Sequence, residues 1–200
     1  MIETLLNKLH NRESSNCVFN QYTQPHILNN LRIFLEYLTN HSNGVMLIGE
    51  APGYRGCRLT GIPLTSGDVI VNSSHRAFGT IGHKLLIPCV VKENTATILW
   101  EVLTYTQSLP ILWNAFPFHP HMPNNPNTNR KPTKEELQEG KHYIQMMYKI
   151  FKPRKLIALG RIAELVLKEI FPNHNIIYIR HPSYGGKIPF VTGLTPHLQK

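Results

Sequence analysis

Cysteine is scarce in this 200-residue chain: Cys17, Cys57 and Cys89 lie far apart and form no CxxC pair. An odd, scattered set excludes a disulfide framework and fits a reducing compartment. It also falls short of the thiolates that an all-cysteine zinc site or iron–sulfur cluster needs. Long apolar runs are missing too, so nothing reads as a membrane span. The start, Met1-Ile2-Glu3-Thr4-Leu5-Leu6, lacks the basic residues and apolar core of a signal peptide. Acidic residues are few, 12 against 21 Lys and Arg, for a formal charge of +9. That deficit favours a polyanionic partner, nucleic acid first. With 42% hydrophobic and 16% charged residues the composition is globular, which excludes a disordered chain. The expectation is a cytoplasmic monomer without membrane association.

What is present is an alternation of short apolar runs with helical patterns. Residues 22–39 place Ile27, Leu28, Leu31, Phe34, Leu35 and Leu38 at helical spacing after Pro25. A first strand is expected at 45–50, and a helix at 95–107 capped by Asn94 or Thr95. Between them, 53–93 is rich in Gly, Pro and Thr and irregular, with brief helical or strand turns. A connection of that length is a place to look for function. A second strand at 111–116 runs into a Pro- and Asn-rich loop, 117–132, of irregular structure. Thr133 and Glu136 form a capping box for a helix reaching Phe151. A strand at 155–160, a helix at 161–171 and a strand at 175–180 follow. Strands alternating with helices make βαβ units, hence an α/β fold with a mostly parallel sheet and helices on both faces. No repeat or linker divides the chain, so 1–200 reads as one domain, with 1–20 a peripheral lead-in.

Several familiar motifs fail on inspection. Gly49-x-x-x-Gly53-x-x-Gly56 lacks the spacing of the dinucleotide fingerprint, and Gly185-Gly186-Lys187-Ile188 lacks the Ser/Thr of a phosphate-cradling loop. Pro88-Cys89 has Lys92 where a zinc deaminase needs its second cysteine. His119-Pro120-His121 hints at a metal, but histidines in a polar loop are expected to face solvent.

Polar residues at strand ends remain. Glu50 follows the first strand, Asn114 sits near the end of the second, and His181 follows the fourth. Taken singly, each has an ordinary role: a turn carboxylate, a buried amide serving the backbone, a capping histidine. Ligands of parallel sheets sit beyond the carboxyl ends of the strands, which would bring all three into one crevice. Such a crevice has an acid/base or water-orienting group, an amide that reads a donor–acceptor edge, and an imidazole that stabilises an anion.

Gly49-Glu50-Ala51-Pro52-Gly53 resembles the first motif of the uracil-DNA glycosylase superfamily, in the form of its family 4, and His181-Pro182-Ser183 resembles the second. Asn129-Arg130-x-Pro132-Thr133-x-x-Glu136 and the stretch from Pro153 to Ala163 are similar to that family in the same order, over 43–195. The resemblance implies a three-layer α/β/α fold around a four-stranded, mainly parallel sheet. It also implies hydrolysis of the N-glycosidic bond of uracil, or a related deaminated base, flipped out of single- or double-stranded DNA for base excision repair. By position, Glu50 and the backbone of Ala51, Pro52 and Gly53 would place water at C1′. Asn114 would read the base edge, His181 would donate toward O2, and Ser183 would hold a flanking phosphate. Arg55, Arg58, Arg130, Lys131, Arg180 and Lys187 fall in or beside the strand-end loops as candidate phosphate contacts. Tyr184 is a candidate wedge into the base stack.

The chain departs from family 4 in three places. The cluster cysteines are absent, so neither an iron–sulfur centre nor another cofactor is expected. Leu64 stands where that family has a ring stacked on uracil, leaving Tyr54 or Phe116 as substitutes. Tyr54-Arg55-Gly56-Cys57-Arg58 replaces the usual acidic pair. A catalytically weak or inactive nucleic-acid-binding homologue is the alternative reading.

Overall fold

Val45, Met46, Leu47 and Ile48 are at most 4% exposed, as a strand must be when helices cover both faces of a parallel sheet. The computed structural model describes residues 1–183 and 185–198. In chain order these form α1 (Ile2–Asn11), β1 (Val18–Phe19), α2 (Pro25–His41) and β2 (Ser42–Gly49). The long connection after β2 folds into α3 (Cys57–Thr60), α4 (Gly67–Asn72) and α5 (Arg76–Ile81), leading to α6 (Asn94–Leu103). Then come β3 (Leu109–Asn114), β4 (His119–Pro120), α7 (Lys134–Phe151), β5 (Lys155–Leu159), α8 (Arg161–Ile170), β6 (Ile176–Ile179) and α9 (Lys187–Leu198).

The central sheet has the order β3-β2-β5-β6, all neighbours parallel, and β1 pairs with β4 in a separate antiparallel ribbon. Side chains alternate along β2. Met46 and Ile48 join a core with α1, α7 and α8, while Val45 and Leu47 join a second with α5, α6 and α9. The α/β fold, with helices on both faces of a four-stranded parallel sheet, is therefore the expected one. The capping box of α7 forms as read, with Thr133 accepting from the Glu136 N–H and Glu136 accepting from the Thr133 N–H.

Four details differ from the sequence reading. The segment 1–20 is no peripheral lead-in: Leu5, Leu6 and Leu9 of α1 are 0% exposed within the first core. β3 begins and ends two residues earlier than read, so Asn114 is its last residue. The loop 117–132 contains β4, which pairs with β1. α9, unread from a segment containing Pro189 and Pro196, packs Phe190, Leu194 and Leu198 into the second core.

Register fixes where the strands end. Gly49 pairs with Asn114, and Leu159 with Ile179, so Glu50, Asn114 and the segment leading to His181 emerge along one edge. Gly160, at φ +87°, turns the chain out of β5; a side chain there would touch His181 Cβ at 3.5 Å. No described helix is long and apolar enough to cross a membrane.

Candidate active site

A cleft of about 460 Å³ opens at that edge and brings together Glu50, Asn114 and His181 with Ala51, Pro52, Gly53, Leu64, Lys131 and Ser183. Glu50 sits just past β2, its backbone anchored where Phe116 N–H donates to Glu50 O at 3.0 Å. Burial pushes its carboxyl above the usual carboxylate range, and Lys131 draws it partly back.

Asn114 is 2% exposed, and its Oδ1 has no hydrogen-bond partner. An orphaned buried acceptor costs about 1–3 kcal/mol, so an amide kept this way in a cleft is poised for a ligand donor. Gly49 makes room for it. A side chain there would come within 2.8 Å of Asn114 Oδ1 and 2.7 Å of Leu64 Cδ2. Leu64 itself is held at φ +56°, rare for a branched residue, with its carbonyl accepting from Trp100 Nε1 at 3.0 Å. Next to it, Thr65 donates to Ile62 O at 2.7 Å. The alkyl group is thus fixed in the wall beside the amide.

His181 has a defined tautomer. The Ser183 N–H donates to Nδ1 at 3.3 Å and the Ser183 hydroxyl lies 2.7 Å away, making Nδ1 the acceptor and Nε2 the protonated nitrogen. Burial holds the imidazole below its ordinary pKa, with Glu93 opposing. The neutral ring therefore offers an N–H donor.

Of the expected phosphate contacts, Arg130 lines the cleft but spends its donors within the protein. Its five N–H groups are all committed: Nε to His121 O, one amino group to Lys131 O and Glu136, the other to Cys17 O and Glu136. It braces the loop instead. Arg58 also turns inward, donating to Tyr54 O and Asn127 Oδ1 with its guanidinium 5.8 Å from the Phe19 ring. Arg55 is exposed beside the Tyr54 ring, and Lys187 pairs with Glu101 at 2.7 Å near Ser183. Tyr184 lies outside the described residues. Phe116 is 0% exposed, edge-on to Phe118 in the core, so it cannot stack on a base.

The sequence reading missed several residues. Glu93, not Asn94 or Thr95, caps α6 by accepting from the N–H groups of Thr95 (3.1 Å) and Ala96 (2.7 Å), and it lines the cleft near His181. Asn129 accepts from Tyr54 N–H at 2.9 Å, pinning the first turn. His119 and His121 are buried at 0% and 4%, not solvent-facing. No group of three or more His, Cys, Asp or Glu among the described residues is placed to hold a metal. Cys57 touches the cleft, but burial pushes its thiol up to about 12, so it is no nucleophile.

A parallel sheet here gathers a carboxylate, an orphaned amide and an imidazole N–H at the carboxyl edge of its strands, where α/β proteins bind their ligands. The chain belongs to the uracil DNA glycosylase superfamily, whose family model matches residues 36–192. The crystal structure of wild-type SMUG2 from Pedobacter heparinus shares the fold with a TM-score of 0.70 at 14% identity, over 98% of this chain and 95% of that one. No curated protein matches it in sequence.

Proposed function

We propose that this protein is a monofunctional glycosylase that hydrolyses the N-glycosidic bond of uracil, or a related deaminated base, in DNA. It would be a branch with the Gly-Glu-Ala-Pro-Gly turn and no cluster, acting as a monomer on single- or double-stranded DNA. The observation that carries the reading is the unpartnered, buried Oδ1 of Asn114 in the same cleft as Glu50 and the Nε2–H of His181. Uracil offers an N3–H donor to Oδ1 and an O4 acceptor to the amide NH₂. Cytosine presents the reverse pattern and would leave buried groups unpaired, which disfavours it.

The chemistry follows from charge. When the C1′–N1 bond breaks, its electron pair leaves with the base and spreads toward O2. A neutral imidazole N–H aimed there stabilises the developing anion without giving up its proton. Glu50, ionised, orients water toward C1′ and accepts its proton as the new C–O bond forms. The target is unreachable inside a stacked duplex, so the nucleotide must flip out, at a cost of about a few kcal/mol. Phosphate contacts from Lys131, Arg55, Ser183 and Lys187 would offset that cost.

The test is strand scission after alkali on uracil-containing single- and double-stranded oligonucleotides. Product from the wild type, with uracil-over-cytosine selectivity that Asn114→Asp relaxes, supports the reading. Unchanged rate and selectivity in Asn114→Asp would remove Asn114 from its role. Leu64 favours a second reading, since an alkyl wall gives less stacking than a ring. Tight, salt-sensitive DNA binding with no abasic product would establish the inactive binding homologue instead.

A further inference from the structure

His119 is fully buried, and each of its ring nitrogens faces a backbone carbonyl: Nδ1 lies 2.7 Å from Pro52 O, and Nε2 lies 3.0 Å from Pro126 O. The first carbonyl belongs to the turn carrying Glu50, the second to the Asn-rich loop. A neutral imidazole carries one N–H, so it can donate to only one of them. We propose that His119 is a positioning residue for the reaction: its Nδ1–H grips the Pro52 carbonyl and fixes the turn that orients the attacking water.

The contact at Nδ1 is the shorter of the two, and the hydrogen is assigned there. Burial disfavours a second proton, and the neighbouring Arg58 and His121 act in the same sense against the pull of the two carbonyls. The ring of His121 stacks on His119 with centroids 5.6 Å apart, and its own Nδ1 is 2.8 Å from Met122 O.

The loop does not depend on Nε2. Arg130 donates to His121 O, and Asn129 and Asn127 hold Tyr54 N–H and Arg58. The turn has fewer supports on its cleft side: Gly53 O accepts from Gly56 N–H at 3.1 Å, but that bond closes the turn on itself. His119 is the side chain that ties the Pro52–Gly53 peptide to β4 and so to the body of the fold. A water-orienting carboxylate two residues along the chain from a loose peptide would wander, and misplacement by an ångström is enough to slow a reaction about a hundredfold.

The inference rests on reading that turn as the water-holding element, and the test separates the two. Asn places its amide nitrogen where His has Nδ1, whereas Gln places it where His has Nε2. His119→Asn therefore keeps the Pro52 bond and drops the Pro126 one, and His119→Gln does the reverse. We expect kcat on a uracil oligonucleotide to fall about tenfold or more in His119→Gln with KM little changed, and to stay within about threefold in His119→Asn. Ring ¹⁵N shifts of the wild type should show Nδ1 protonated. The Gly53 amide, on the gripped peptide, should move in the Gln variant and hold in the Asn variant.

Equal losses of kcat in two folded variants, or a wild-type ring protonated on Nε2, would overturn the proposal. A wild type that cuts no uracil oligonucleotide would instead overturn the glycosylase reading. The ring tautomer and the Gly53 amide would then decide the positioning role alone. Unfolding midpoints of both variants guard against loss of fold as the cause.

Discussion

The wall of the cleft that carries Glu50 is cross-linked to distant parts of the chain, whereas, among the described residues, the hydrogen bonds of the His181 side chain run to its own turn. On the first wall, Glu50 O accepts from Phe116, Pro52 O faces His119, and Tyr54 N–H reaches Asn129. On the second, His181 Nδ1 meets Ser183, and Gly186 N–H closes back on Ser183 O at 3.1 Å. The supporting strands differ in the same way: β2 is central, while β6 is a four-residue edge strand with Tyr178 41% exposed. The contrast teaches where order must come from. On the proposed reaction water has to be placed before the bond breaks, which suits the wall the fold holds in place. The donor proposed for the leaving base sits on the wall with less support among the described residues, the end of the stability range from which moving parts are drawn.

The largest effect should come from the less supported wall. His181→Ala removes the donor proposed for the developing charge, and should lower kcat by about 10²–10³. Its unfolding midpoint should stay close to that of the wild type, because its bonds end within the same turn. A variant that lost activity only in step with lost stability would break the comparison.

The pH profile sharpens it from the other wall. Burial raises the Glu50 pKa, and only the ionised form accepts a proton from water. The acid limb of kcat/KM should therefore lie above the usual glutamate value of about 4.3, falling about tenfold per pH unit below it. Glu50→Gln should erase that limb along with most of the rate. His181 moves the opposite way, since burial lowers its pKa and the neutral ring is the donor. Activity should accordingly hold as pH rises through about 6.5. A decline there would mean that the imidazolium is the working form.

The same contrast explains what could be read from the chain. The strands and α7 were legible because unbroken apolar runs and a capping box are local signals. Glu50, Asn114 and His181 were legible because parallel strands deliver their ends to one edge. His119 was not: its burial depends on carbonyls of Pro52 and Pro126, which meet only once the fold exists. Glu93 was hidden by chemistry of the same kind, because Asn94 and Thr95 are the commoner caps and only the glutamate reaches two N–H groups. α9 carries prolines that argue against a helix, and packing of Phe190, Leu194 and Leu198 overrides them.

Adjacent basic residues then divide structure from DNA contact, with smaller effects. Arg130 and Glu136 are 18% and 11% exposed, and burial pushes the Glu136 carboxyl up while Arg130 outweighs it and holds it below the usual range. Arg130→Met leaves that carboxylate without its partner and should cost about 2–4 kcal/mol in urea denaturation. Because every Arg130 donor is already used, the salt dependence of DNA binding should not change. Lys131 is exposed at the same cleft, and Lys131→Met should do the reverse, leaving stability alone and reducing the slope of log K against log salt by about one. Lys187 should give the smallest change. Its ammonium already sits 2.7 Å from Glu101, so a phosphate must displace a carboxylate and releases less counterion than at Lys131. A slope loss at Arg130 matching that at Lys131 would mean that the loop opens on DNA, and the first wall would then be as mobile as the second.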